Sequence, residues 1–195
     1  MSLTIVGANG TQVLLNQTSI ATLQPYSGYG GFKNVLGNIK SWGYYTGVSL
    51  VTLCNLVGGI ANNNTLRVTG SDGYGMNFTH GQVNDGDFVT YNNVTGQPVP
   101  HNQSLTPILA YQYDGANLSS DEGGPLRLVI VGPEGLCTNS TLWVKWVVNM
   151  EIVQNDVPEF PSLLIFPLLL VATFVAALIL RTWRQDWVHS LDSKN

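Results

Sequence analysis

The sequence predicts an α+β protein, a mostly antiparallel mixed sheet with one or two short helices, followed by one C-terminal transmembrane helix. Three observations predict this class. Strand-like segments recur between turn dipeptides over most of the chain, few segments have a helical period, and residues 163–180 are an apolar run with no charged residue. With 195 residues, the chain has room for one ordinary domain and one appendage.

Turn dipeptides mark the first strands. Each of three Asn-Gly or Asp-Gly pairs follows a strand-like segment: Asn9-Gly10 after 3–6, Asp72-Gly73 after 65–69 and Asp114-Gly115 after 108–113. Such pairs adopt the positive φ angles of two-residue hairpin turns. Residues 12–15 and 75–79 therefore complete two predicted hairpins.

The longest alternation of side chains runs from Leu142 to Val153. Its even-numbered positions, 142 to 152, are all apolar, as a strand with one buried face requires. We expect a single long strand there, with the even-numbered face in the core.

Two segments favour short helices. Apolar side chains recur at i, i+3, i+4 and i+7 on Leu50, Leu53, Cys54 and Val57. Ser49 can cap this helix and Gly58 can end it, which places Cys54 on the buried face. A second helix is expected over 17–23, ending before Pro25.

The apolar run predicts a membrane span, because eighteen helical residues cover roughly 27 Å, close to the thickness of the bilayer core. A buried core helix is the competing interpretation. The predicted layout is an external domain at 1–153, a linker at 154–161, a transmembrane helix at 162–182 and a tail at 183–195. Membrane lipid is therefore an expected partner.

The charges beside the span predict its orientation. Asp156 and Glu159 precede it, whereas Arg181 and Arg184 follow it. This arrangement predicts a single-pass protein of the cell membrane with a cytoplasmic C-terminus and the N-terminal domain outside. Because Met1 leads directly into a strand-like segment, we expect that an export signal was removed or that the start is incomplete.

Glycosylation acceptors of the form Asn-x-Ser/Thr are frequent. They occur at Asn9, Asn16, Asn63, Asn77, Asn93, Asn102, Asn117 and Asn139. This frequency predicts a glycosylated external surface. The alternative is that Asn, Ser and Thr cluster only because they are turn residues.

The two cysteines, Cys54 and Cys137, both lie on the proposed external side. We expect a disulfide, which would close a long loop and stabilise the domain by roughly 4 kcal/mol if the geometry fits. Two unpaired buried thiols are the alternative.

The charge balance excludes one class of partner. The chain has 8 Lys and Arg against 12 Asp and Glu, a net charge of −4. No nucleic-acid partner is expected, because neutralising phosphates needs a basic face. His80 and His101 are isolated and show no metal-ligand spacing.

Five segments, in order, resemble the molybdopterin-binding domain of sulfite-oxidase-type oxidoreductases: GVSLVTLCNLVGG at 47–59, VTGSDGYGMNFTHGQV at 68–83, TPILAYQYDGANL at 106–118, GGPLRLVIVG at 123–132 and KWVVNMEI at 145–152. The resemblance implies an α+β fold whose loops hold molybdenum on a pterin dithiolene. It also implies one cysteine ligand before residue 47. Residues 29–47, YGGFKNVLGNIKSWGYYTG, contain no cysteine, and soft thiolate ligation has no substitute there.

The resemblance retains Arg127 and Lys145 as candidate cofactor-binding residues. Both can instead be structural, with the arginine pairing with a carboxylate or a carbonyl. Cys137 could be a displaced metal ligand, although a bridge to Cys54 accounts for both cysteines.

The C-terminal segment resembles the sorting signals of archaeal surface proteins, in which Pro-Glu-Phe precedes an apolar helix and a basic cluster. Residues 158–184 follow that order. The resemblance implies either cleavage and lipid attachment or permanent anchoring by the helix.

These observations predict a membrane-anchored, glycosylated cell-surface protein whose domain is non-catalytic and serves binding or envelope structure, with no cofactor. The alternative is an anchored oxidoreductase with a molybdenum-pterin cofactor and an atypical ligand set. A third hypothesis is a subunit of a surface assembly with protein partners.

Overall fold

The computed structural model describes residues 2–155 and, beyond them, residues 170–171, 173–176 and 181. The chain divides into two compact units, Met1–Asn155 and Asp156–Asn195. The first unit contains all the elements numbered below. In the second, the described residues are helical.

The first unit is dominated by strands. They are β1 (Ser2–Val6), β2 (Gln12–Asn16), β3 (Tyr26–Lys33), β4 (Ile39–Ser49), β5 (Asn64–Gly70), β6 (Gly75–Thr79), β7 (Thr106–Tyr113), β8 (Ala116–Asn117), β9 (Arg127–Val131), β10 (Cys137–Asn139) and β11 (Val147–Gln154). The helices are α1 (Gln17–Ala21), α2 (Leu50–Asn55), α3 (His80–Asn84) and a 3-10 turn at Ser140–Leu142. The mixed α+β class predicted from the sequence is therefore confirmed.

One sheet has the strand order β2-β1-β11-β5-β6. The hairpins β1–β2 and β5–β6 confirm the predicted turns, with Gly10 at φ 83° and Gly73 at φ 83°. Between them lies β11, parallel to β1 and antiparallel to β5. The C-terminal strand of the domain thus joins two local hairpins into one sheet.

The other sheet has the order β10-β3-β4-β7-β8, with β9 also paired to β7. It curls on itself, because Gly132, directly after β9, forms an antiparallel bridge with Tyr29 of β3. Every residue of β9 is buried. The curled sheet includes β3 and β4, which contain most of the segment in which the resemblance places the metal ligand.

Helix α2 begins and ends as the sequence predicts. The Ser49 side chain accepts a hydrogen bond from the Thr52 N–H, and Gly58 follows the helix at φ 100°. Leu50, Leu53 and Cys54 are buried in the core. Helix α1 is shorter than expected and is capped by the side chain of Asn16.

The structure has more helical turns than the sequence analysis predicted. Helix α3 begins at a capping box in which Thr79 and Gln82 each bond the other's backbone N–H. This Thr-x-x-Gln signature is visible in the sequence, but the helix that it starts is only five residues long. The 3-10 turn is capped by Asn139.

The prediction of one strand over 142–153 is wrong in its first half. Leu142 belongs to the 3-10 turn, and Trp146 has φ 49°, a left-handed conformation that interrupts a strand. A bulge between Val147 and Asn149 then shifts the register, so Val147 is buried and Val148 is only half-buried. Of the expected face, Val144, Met150 and Ile152 are buried in the core, and Leu142 packs against it.

The predicted span at 162–182 lies largely outside the described residues. Within the part of the chain that the structure describes, no helix combines the length and apolar character needed to cross a bilayer.

Candidate functional site

The segment expected to hold the metal ligand, residues 29–47, forms the hairpin of β3 and β4. Tyr45 is fully buried, and its hydroxyl donates to the carbonyl of Ser41 at 2.7 Å. Phe32 packs against the core from the end of β3. The hairpin thus turns aromatic side chains, not a thiol, toward the interior.

Arg127, the first residue of β9, is enclosed by these rings and is 4% exposed. Its guanidinium carbon lies 5.1 Å from the ring centre of Trp143 and 5.7 Å from that of Phe32. The two rings meet edge to face at 5.3 Å. Such cation–π contacts stabilise a desolvated guanidinium. We call this group, Phe32, Tyr45, Arg127 and Trp143, the aromatic box.

The box leaves Arg127 incompletely bonded. Nη1 donates to the carbonyl of Glu122 at 2.9 Å, whereas Nε is buried and has no partner among the described residues. Desolvation lowers the pKa of Arg127, while the coulombic effects of Tyr45 and Glu122 oppose that shift. Desolvation likewise raises the pKa of Tyr45. The site is therefore an apolar enclosure around one cation, which retains one free donor.

Lys145 and Arg127 both donate hydrogen bonds to the loop 120–122. Three side chains donate to three consecutive carbonyls: Trp146 to Ser120 at 3.0 Å, Lys145 to Asp121 at 3.1 Å and Arg127 to Glu122 at 2.9 Å. The structure thus brings the two candidate cofactor-binding residues together as clamps of the loop 120–122. These contacts are structural, and a role toward a cofactor stays a prediction.

The carboxylate of Glu122 forms hydrogen bonds within its own turn, whereas the backbone carbonyl of Glu122 accepts from Arg127. It accepts from the backbone N–H of Ser119 at 2.8 Å and from the Ser119 hydroxyl at 2.7 Å. These hydrogen bonds lower the pKa of Glu122. Arg127 therefore bonds a carbonyl, whereas the nearby carboxylate caps its own turn.

The predicted disulfide between Cys54 and Cys137 is wrong, because both cysteines are free. Cys54 lies on α2 within the hydrophobic core, whereas Cys137 begins β10, at the edge of the curled sheet. Desolvation raises the pKa of the Cys54 thiol to about 12 and that of Cys137 to about 11. The alternative of two unpaired buried thiols describes the structure.

Cys137 nevertheless lies against the segment expected to hold the ligand. It pairs with Gly31 of β3, and a Cβ at Gly31 would lie 3.0 Å from the Cys137 sulfur. The sulfur thus occupies space that only a glycine on β3 leaves open. The side chain is fully buried.

The segment in which the resemblance places the metal ligand, residues 29–47, offers no thiol to a molybdenum ion. Burial raises the pKa of both cysteine thiols, so neither is an activated thiolate in this structure. Among the described residues, no three His, Cys, Asp or Glu side chains gather where they could hold a metal. Among the buried side-chain nitrogen and oxygen atoms of the described residues, Nε of Arg127 is the one without a partner, and a bound polar group could complete it.

The predicted glycosylation sites lie at the surface with one exception. Asn93 is half-buried, and the other seven acceptor asparagines are exposed. Exposure is required for modification but does not demonstrate it, so glycosylation stays a prediction. The isolated His80 and His101 are far apart in the chain and join neither the aromatic box nor the clamped loop.

The aromatic box was not predictable from the sequence. Phe32, Tyr45 and Trp143 lie far apart in the chain, and no periodic pattern connects them. The one available signal was Arg127 itself, because a charge inside an otherwise apolar strand requires an enclosing partner.

Comparisons with known proteins agree with the fold. The family described as the oxidoreductase molybdopterin binding domain matches residues 31–161. The crystal structure of the sulfane dehydrogenase SoxCD from Paracoccus pantotrophus is similar, with a TM-score of 0.57 and 19% identity. The similarity covers 83% of this chain and 40% of that one, so this chain spans less than half of its length. No curated protein matches the sequence.

Proposed function

Because the chain belongs to the oxidoreductase molybdopterin binding domain family, we propose that it is a member whose domain serves binding or envelope structure rather than molybdenum redox chemistry. Function on a fold is decided by the site. What supports the proposal is that Arg127, a candidate cofactor-binding residue, is enclosed by the protein's own side chains.

The aromatic box carries the proposal. Trp143 and Arg127 are 5% and 4% exposed, so the interior behind β3 and β4 is packed with side chains. Residues 29–47 contain no thiol, and the nearest cysteine has a raised pKa. A family member of this kind retains the sheet framework without the ligand chemistry.

The proposed setting is the cell surface. The apolar run at 163–180 and the basic residues after it favour a single-pass membrane anchor with the domain outside. Exposed acceptor asparagines are consistent with glycosylation in that setting. The Pro-Glu-Phe tripeptide at 158–160 favours a sorted surface protein, and the glycosylated surface could join a larger assembly.

Metal analysis tests the proposal. The full chain is purified from a host that loads a co-expressed molybdoenzyme with its cofactor. We expect the chain to contain far less than one molybdenum and one pterin per molecule. The co-expressed enzyme controls for cofactor supply. Stoichiometric molybdenum in the folded chain would contradict the proposal.

One observation favours a second candidate, an anchored oxidoreductase with an atypical ligand set. Cys137 lies against Gly31, within the segment where the family ligand is expected. In this candidate, Cys137 replaces the missing thiol. It predicts that any bound molybdenum is lost in Cys137→Ser but retained in Cys54→Ser, whose thiol lies in the core. Equal metal content in the two variants would exclude Cys137 as the ligand.

A further inference from the structure

Two surface turns of the domain touch each other. The turn between β3 and β4, residues 34–38, is closed by a hydrogen bond from the Asn34 N–H to the Asn38 carbonyl at 2.9 Å. A Cβ at Gly96 would lie 3.2 Å from the carbonyl oxygen of Gly37. The Lys33 ammonium donates to the Gly96 carbonyl at 2.8 Å. We call residues 34–38 and 92–96 together the paired-turn tip.

The tip carries the most exposed large apolar side chains among the described residues. Val35 is 91% exposed, Leu36 80% and Val94 85%. Each lies within two residues of the contact between Gly37 and Gly96. Single exposed aliphatic residues are ordinary, but three on two touching turns form an apolar cluster that faces solvent.

The two turns and their flanking residues carry basic but no acidic side chains, although the chain as a whole is acidic. Lys33 and Lys40 flank the first turn, and residues 33–40 and 91–97 contain no Asp or Glu. The Lys33 ammonium lies 4.6 Å from the ring centre of Tyr91. An apolar tip, flanking lysines and a nearby tyrosine form a combination suited to the boundary between headgroups and acyl chains.

We propose that the paired-turn tip inserts into the surface of a lipid bilayer that carries anionic headgroups. Val35, Leu36 and Val94 enter the acyl boundary, and the two lysines contact the headgroups. A second copy of the chain is a poorer occupant, because three side chains on a tip cover far less than the roughly 800 Å² per partner of a stable interface. The proposal does not depend on the function of the aromatic box.

Depth-dependent fluorescence quenching tests the insertion. The full chain, reconstituted in liposomes, is labelled with an environment-sensitive dye at Leu36→Cys or at the control Leu14→Cys, a 67% exposed site on β2. Both native cysteines are buried and should remain unlabelled in the folded protein. Nitroxide-labelled lipids, which quench the dye, are placed either in the liposomes that hold the chain or in separate liposomes that are added to them.

The expected result is quenching at position 36 at least about threefold stronger than at position 14, and only when anionic lipid is present. Lys40→Gln should reduce that quenching without changing the melting temperature. Equal quenching at both positions with every lipid composition overturns the proposal. Energy transfer between labelled copies in lipid-free detergent overturns it too, because the tip would then bind a second copy.

Discussion

At the scale of single residues, Arg127 determines how the interior is interpreted. It is a buried cation without a salt-bridge partner among the described residues, and its guanidinium lies beside the touching rings of Phe32 and Trp143. Burial of a charge is costly unless contacts compensate, and here one hydrogen bond and two ring faces do so. Its aliphatic stem also fills volume in the core, so charge and packing can be separated by substitution.

Two substitutions of Arg127 separate the contribution of its charge from that of its volume. Arg127→Met keeps the length but removes the charge, and we expect the free energy of unfolding to change by less than about 1 kcal/mol. Arg127→Ala leaves a cavity beside the rings and should lower the free energy of unfolding by about 3 kcal/mol. Urea denaturation of both variants measures the difference. Equal losses would show that the charge, not the volume, stabilises the box.

Thiol reactivity tests the two free cysteines. At pH 8 a maleimide should label neither cysteine in the folded protein, and both after denaturation without any reductant, because both are buried and unbonded. Mass spectrometry counts the labels. If the denatured protein gains labels only after reduction, the two cysteines form a disulfide after all.

The raised thiol pKa of Cys54 also predicts a loss of stability in alkali. Its folded pKa of about 12 exceeds the ordinary value of 9.0, so the folded state holds the proton that the unfolded chain releases. The contribution is complete below pH 9.0 and is lost as the pH rises toward 12. Cys54→Ala should therefore show a shallower fall in melting temperature between these pH values than the wild type.

At the scale of elements, β4 explains how an aromatic-rich segment packs. Its buried positions include Gly43, Tyr45 and Gly47, whereas Trp42 and Tyr44 on the other face are exposed. An ordinary half-buried strand buries its large apolar side chains, whereas β4 buries two glycines and exposes two aromatic side chains. A Cβ at Gly47 would lie 2.5 Å from the Cα of Ala110 and would overlap the Leu109 carbonyl oxygen. Close approach of β4 to β7 therefore requires glycine.

Replacement of Gly47 tests this approach. Gly47→Ala should lower the free energy of unfolding by about 3 kcal/mol, because the backbones of β4 and β7 must separate. The matched control is Gly132→Ala, whose Cβ would meet its nearest neighbour at an ordinary 3.5 Å and should change stability by less than about 1 kcal/mol. Thermal unfolding of both variants compares them. Similar losses would contradict the role of the contact.

At the scale of the whole molecule, β11 connects the two hairpins of the first unit into one sheet. It lies in the middle of its sheet, between β1 and β5, although it is the last strand of the domain. The two hairpins can form locally, but their union depends on a strand that is more than 140 residues from β1 in sequence. Such long-range pairing makes folding of the unit depend on its last residues.

Truncation tests this dependence. Residues 1–155, the first compact unit, should fold alone and unfold in one cooperative transition. The matched control, residues 1–146, ends just before β11 and should lose cooperative unfolding. Calorimetry distinguishes the two. A cooperative transition in the shorter fragment would show that β11 is dispensable.

The sequence alone determined the elements that depend on local chemistry. The Asn-Gly and Asp-Gly turns, the Ser49 cap and the helical period of α2 were predictable, because backbone preference and side-chain hydrogen bonds act within a few residues. The family resemblance also came from contiguous segments. The hairpin of β3 and β4 was not predictable, since glycines occupy its buried positions and remove the hydrophobic alternation.

Only the tertiary structure decided the site. It separated Cys54 from Cys137, buried Arg127 against Phe32 and Trp143, and brought the turns at Gly37 and Gly96 into contact. Each outcome depends on residues distant in sequence, and the left-handed Trp146 with the adjacent bulge reset the face of β11. Local preferences set which elements form. Their packing determines which side chains meet, and hence what chemistry the domain retains.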